Sequence, residues 1–132
     1  MTEIKKITKI ALLVIGIPNF IYGILSVFLT DMLVTIPTGW TNPLHPRIIG
    51  GLFFLTAVFS AIMIRKKEWE EIKLTFAFYA CMLLSTIIIN IAVVAIISPT
   101  LSASVITQNI FETILMGSMF ALSVISYIKQ ER

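Results

Sequence analysis

At 132 residues the chain is the size of one domain, yet 58% of it is hydrophobic and only 13% is charged, against ~45–50% and ~25% in soluble domains. A soluble fold this small buries only ~60–70% of the surface its unfolded chain exposes, so a water-soluble globule is excluded and lipid is the solvent to expect. The net charge of +3 does not point to nucleic acid, because the cations collect where apolar runs stop.

The first apolar run follows Lys5, Lys6 and Lys9 and predicts a helix over 10–34. It is too long for the ~7–15-residue apolar segment of a signal peptide, and no A-x-A-like cleavage site follows. Pro18 is expected to kink it near its middle. A turn-rich loop to Pro46, with Pro37, Gly39, Trp40 and Pro43, leads to a second helix over 47–64. That span is near the lower limit for a hydrocarbon core of ~30 Å, and Arg47 and Arg65 can extend it by snorkelling. A charged connection over 65–71 precedes a third helix over 72–97, with Lys73 at its start and Pro99 beyond its end. An uncharged loop then runs to Asn109, and the fourth helix covers 109–128. Isolated strands cannot satisfy their backbone in lipid, so the expected fold is all-α, one transmembrane domain over 1–132.

Orientation comes from the cations. Lys5, Lys6, Lys9, Arg65, Lys66, Lys67, Lys73, Lys129 and Arg132 lie at the two ends and the middle connection, and Arg47 is the tenth. The positive-inside rule places both termini in the cytoplasm, which makes the four spans an antiparallel bundle. Trp40 and Trp69 then fall at opposite interfaces, as an aromatic belt requires. The cation bias and the lack of glycosylation sequons suit a prokaryotic plasma membrane and a multi-pass protein there.

Small residues let helix backbones approach where lipid supplies no hydrophobic drive. The expected packing faces are Gly16, Asn19, Gly23, Ser26 and Thr30 on the first helix, and Gly50, Ala57 and Ala61 with Phe54 on the second. On the third they are Ala77, Cys81, Ser85, Ile88, Ala92 and Ala95, and on the fourth Thr113, Gly117 and Ala121. Cys81, the one cysteine, permits no internal disulfide and reads as a small buried hydrophobe. Closure of the bundle within one chain, as a homodimer, or in a larger membrane complex is left open.

Ionisable residues within a span are costly, so each is a candidate for function. Asp31, Arg47 and Glu112, with His45 beside Arg47, share the non-cytoplasmic level. They read as interfacial side chains, as a structural ion pair, or as a ligand site. Asn19 and Asn90 read as hydrogen-bonding glue between helices. The sharper alternative has Asn19, Tyr22 and Asn90 lining a polar cleft that opens toward Asp31, His45, Arg47 and Glu112. One histidine makes no zinc site, which takes three or four ligands; neither metal nor cofactor is expected.

The segment Pro46-Arg47-Ile48-Ile49-Gly50-Gly51, an apolar helix and then Arg65-Lys66-Lys67-Glu68-Trp69 resembles the DoxX-like group of small four-helix membrane proteins, many of unassigned role. The resemblance implies the bundle and carries over no catalytic residue. Three roles stay open. The first is a non-enzymatic scaffold or accessory subunit, with lipid and membrane proteins as partners, since no catalytic constellation is visible. The second is a bundle that binds or transports lipid or a small solute through the polar cleft. The third is a membrane enzyme using Glu112 or His45 as its acid–base group.

Overall fold

The apolar runs form four α-helices in the structure, a computed structural model that describes residues 2–30, 32, 44–97 and 102–132. They are α1 (Lys6–Phe28), α2 (Leu44–Arg65), α3 (Trp69–Ile97) and α4 (Ala103–Glu131). Each is long and apolar enough to cross a membrane, with a mean hydropathy of 1.6 or more over its best window. Among the described residues the only extended pairing is one bridge between Glu3 and Glu68. Asp31, Trp40 and Pro99 lie outside the described residues, as does the expected end of the first helix at 34.

All four helices begin earlier than hydropathy predicts, because a helix does not stop where its side chains turn polar. α1 takes in Lys6 and Lys9 and runs unbroken through Pro18. α4 begins six residues before Asn109, so the expected loop at Ala103–Gln108 is helical. Its polar first turns hold their own geometry. The Ser102 hydroxyl accepts from the Val105 amide at the N-cap, and Thr107 and Asn109 donate back to the Ala103 and Val105 carbonyls at 2.9 and 3.2 Å. Such i−4 bonds satisfy the side chain inside lipid. The connection between α2 and α3 shrinks to Lys66–Glu68, with Lys66 paired to Glu71 at 2.8 Å.

The chain divides into two compact units, Leu12–Arg65 and Met1–Ala11 with Lys66–Arg132. In the unit Leu12–Arg65, backbone meets backbone. A Cβ on Gly23 would stand 2.8 Å from the Phe54 nitrogen, and one on Gly50 would stand 2.7 Å from the Ser26 Cβ. Real Cβ atoms do not tolerate such distances, so both positions require glycine. Phe20 packs on Phe54 and Tyr22 on Phe53, with ring centroids 5.8 and 6.2 Å apart. Gly23, Ser26 and Thr30 are buried as expected, but Ala61 is exposed and Ser60 takes its place beside Ala57.

In the other unit the expected small-residue faces are corrected. Cys81, Ser85, Ile88, Ala92 and Ala95 are exposed, as is Ala121, and a Cβ on Gly117 would meet open space. The inner face of α3 is instead Ile72, Phe76 and Tyr79, and that of α4 is Met119, Ser123, Ser126 and Gln130. Both follow a three-four spacing, but bulky residues on α3 and serines on α4 fill it, where alanine and glycine were expected.

Candidate functional site

Three stretches remote in sequence meet at one end of the unit Met1–Ala11 with Lys66–Arg132. Residues 2–4 lie beside 67–69, with the Ile4 amide donating to the Lys67 carbonyl at 3.0 Å and the Trp69 amide to the Thr2 carbonyl at 2.8 Å. The last turn of α4 closes over them. Gln130 is only 1% exposed. Its Oε1 accepts from the Lys5 amide at 2.8 Å and from the Thr8 hydroxyl at 3.0 Å, while its Nε2 donates to the Glu3 carbonyl at 2.8 Å. A primary amide offers donors and acceptors together, so one side chain satisfies backbone groups that the start of α1 leaves without a helical partner. Each bond contributes about 0.5–1.5 kcal/mol net.

An aromatic and ionic layer lies beside this hub. Trp69 packs edge-on against Phe76 and Tyr127, with centroids 5.6 and 5.4 Å apart. Its indole N–H donates to Glu131, and Lys73 pairs with the same carboxylate at 2.9 Å. The Lys5 ammonium donates to the Lys129 carbonyl, a favourable place for a cation at the end of a helix. Trp69 is only 1% exposed, so its ring packs against protein and its polar tip is satisfied by Glu131. Next to this layer is an open groove of about 290 Å³ lined by Glu70, Lys73, Leu74, Ala77 and Tyr127.

The residues expected from sequence to form a polar cleft are divided between the units. Asn19, Tyr22, His45 and Arg47 belong to Leu12–Arg65, and Asn90 and Glu112 to the other. Asn19 is half-buried and donates to the Ile15 carbonyl of its own helix at 2.7 Å, so this donor bonds within α1 and not across helices. Gly16 faces Ser60, and Gly23 faces Gly50 and Phe54. That register puts Asn19 level with Ala57, roughly 18 Å along α2 from His45 at 1.5 Å per residue. The two are not brought together. His45 and Arg47 are exposed.

Glu112, half-buried, accepts from Gln108 one turn earlier at 3.0 Å. Counting along α3 and α4 from the Trp69–Glu131 contact brings Asn90 within about one turn of the level of Glu112. The Asn90 amide nitrogen is buried without a hydrogen-bond partner. Among the described residues no group of three His, Cys, Asp or Glu side chains could hold a metal.

Gln130, Thr8 and Glu131 are the residues that sequence reasoning missed, while Trp69 and Lys73 were read only as a belt aromatic and an orientation cation. A signal was present for Gln130 alone. Ser123, Ser126 and Gln130 repeat at three and four residues over the last turns of α4, and all three are buried. Comparison with protein families, with curated proteins and with solved structures gives no match.

Proposed function

We infer that the chain is a non-enzymatic scaffold or accessory subunit, a multi-pass protein of a prokaryotic plasma membrane. Its helices form an antiparallel bundle with both termini in the cytoplasm. The Gln130 hub is the observation that carries this reading. This almost fully buried amide holds the protein's own segments in place, with all its bonds made to Glu3, Lys5 and Thr8. Around it, the same unit carries eight cations: Lys5, Lys6, Lys9, Lys66, Lys67, Lys73, Lys129 and Arg132. A rigid, cation-rich end is what the positive-inside rule expects of a cytoplasmic face, and it offers a fixed platform to a membrane partner. The resemblance of the second helix and its flanks to the DoxX-like group favours such a bundle and implies no reaction.

A second reading, a bundle that binds a small polar solute, is favoured by the unpartnered Asn90 amide near the level of Glu112. A buried donor without a partner costs about 1–3 kcal/mol, and a bound solute or water would satisfy it.

Site-specific labelling and flux separate these readings. In a Cys81→Ala background, Ser104→Cys should react with an impermeant maleimide on intact cells, while Lys67→Cys and Lys6→Cys should react only after lysis. Labelling of Lys67→Cys from outside would overturn the orientation. Photo-crosslinkers at Lys67 and Arg132 should give one discrete adduct with another membrane protein. Solute uptake by reconstituted vesicles that disappears in Asn90→Leu would replace the scaffold by the second reading.

A further inference from the structure

We propose that the groove between the first turns of α3 and the last turns of α4 is a binding site for a phospholipid with a primary-amine, zwitterionic headgroup. The groove, about 290 Å³, has an apolar side made by Leu74, Ala77 and Tyr127 and a polar side made by Glu70 and Lys73. At ~30 Å³ per water-sized group, it holds about ten such groups, enough for a headgroup and the first carbons below it. Its position in the sequence matches that division. Glu70 and Lys73 flank Ile72, where the apolar run of α3 begins, so the polar side lies at headgroup level and the apolar side below it.

Charge selects the occupant. Lys73 already holds Glu131 at 2.9 Å, but an ammonium has three donors, which leaves others for a phosphate oxygen. Glu70 is exposed one turn from Lys73, placed to accept from an ammonium. A phosphate and an ammonium on one headgroup therefore each meet an opposite charge. A purely anionic headgroup would satisfy Lys73 and face the Glu70 and Glu131 carboxylates uncompensated. A choline headgroup carries the charge but has no N–H to donate to Glu70. Leu74, 83% exposed, and Phe78, 58% exposed, continue the apolar side along α3, where an acyl chain would lie. The walls are preformed, since Trp69 holds Tyr127 and Glu131 holds Lys73.

The full chain is reconstituted in phosphatidylcholine vesicles with trace spin-labelled phosphatidylethanolamine, phosphatidylcholine or phosphatidylglycerol, and the motionally restricted fraction is read by electron paramagnetic resonance. One solvent-accessible ion pair is worth up to ~1 kcal/mol, so the ethanolamine lipid should be favoured over the other two by about three- to fivefold. Glu70→Ala, on an exposed side chain outside the hub, removes charge and acceptor together and should bring it level with phosphatidylcholine. Ala77→Leu, which fills the groove, should reduce the restricted fraction of ethanolamine lipid to that of phosphatidylcholine. A preference for phosphatidylglycerol, or an ethanolamine preference that survives Glu70→Ala, would overturn the assignment. Displacement of the labelled lipid by millimolar soluble phosphoethanolamine would also overturn it, by showing a soluble ligand as the occupant. None of these outcomes depends on which side the termini face or on the scaffold role.

Discussion

The two units of this chain solve the same problem in opposite ways. In Leu12–Arg65, two helices meet by having almost nothing between them: Gly23 and Gly50 bring backbone against backbone. In Met1–Ala11 with Lys66–Arg132, the joint is crowded with polar groups, and Gln130 binds three partners from Glu3, Lys5 and Thr8. Lipid tails are as apolar as leucine, so apolar side chains gain little by leaving them for one another. Close van der Waals approach and satisfied hydrogen bonds are what remain. The first tolerates no added atom, while the second tolerates no missing partner.

The sharpest way to break this contrast is to add atoms where none fit. Gly23→Leu would drive its side chain into the Phe54 backbone, which cannot give way as a flexible side chain can. A loss at or above the upper end of the ~1–3 kcal/mol typical of overpacking is expected, measured by steric trapping or denaturant titration in bicelles. Gly51→Ala is the matched control, because a Cβ there meets nothing within 4 Å. It should be neutral or gain up to ~1 kcal/mol of helix propensity. Equal losses in the two variants would show that Gly23 matters as a helix residue and not as a contact.

The complementary break removes a partner. Gln130→Ala adds no bulk, yet leaves the Lys5 amide, the Thr8 hydroxyl and the Glu3 carbonyl without the groups they bond. A loss of about 2 kcal/mol is expected, and it should be local. Hydrogen exchange at the Lys5 amide should accelerate strongly, while amides around Gly23 and Gly50 keep their protection. Gln130→Glu keeps the acceptor and loses the donor, so it should retain protection at Lys5 better than Gln130→Ala does. If exchange at Lys5 were unchanged in both variants, the hub would not be what holds residues 2–8.

This difference also explains what was legible in the sequence. Four spans follow from composition, because four long, largely apolar runs in 132 residues admit few other structures. The Gly16–Gly23–Ser26–Thr30 face is readable because small residues at three-four spacing have one use in lipid. The same rule misleads on α3, where Ala77, Cys81 and Ser85 look like a packing face and Cys81 and Ser85 are exposed. Smallness permits close approach but does not compel it, and Phe76 and Tyr79 provide the contact surface there. Beyond the Ser123–Ser126–Gln130 spacing, the hub was illegible for another reason. Gln130 sits in a run of charged residues that reads as a solvated end, and its partners are mostly backbone groups, which carry no residue identity. The candidate cleft drew on Asn19, whose donor the helix itself satisfies at Ile15. A single sequence cannot tell an amide turned back on its own carbonyl from one reaching across.

Ser60 tests where the contrast between the units is finest, and its effect should be the smallest. It sits in the glycine-packed unit, 1% exposed, with its Cβ 3.1 Å from where a Cβ on Gly16 would be. Thr56, Ser85, Thr86, Ser118 and Ser123 all return their hydroxyls to the carbonyl four residues back. The Ser60 hydroxyl has no partner. If this unit is held by close approach, Ser60 is there because it is small, and its oxygen is a burden. Ser60→Ala keeps the approach and removes the unsatisfied atom, so stability should be unchanged or rise by up to ~1 kcal/mol. A loss beyond ~1 kcal/mol, in the range expected for a broken buried hydrogen bond, would mean that a polar bond holds this joint as well. The division between a unit packed by absence and a unit bound by partners would then not stand.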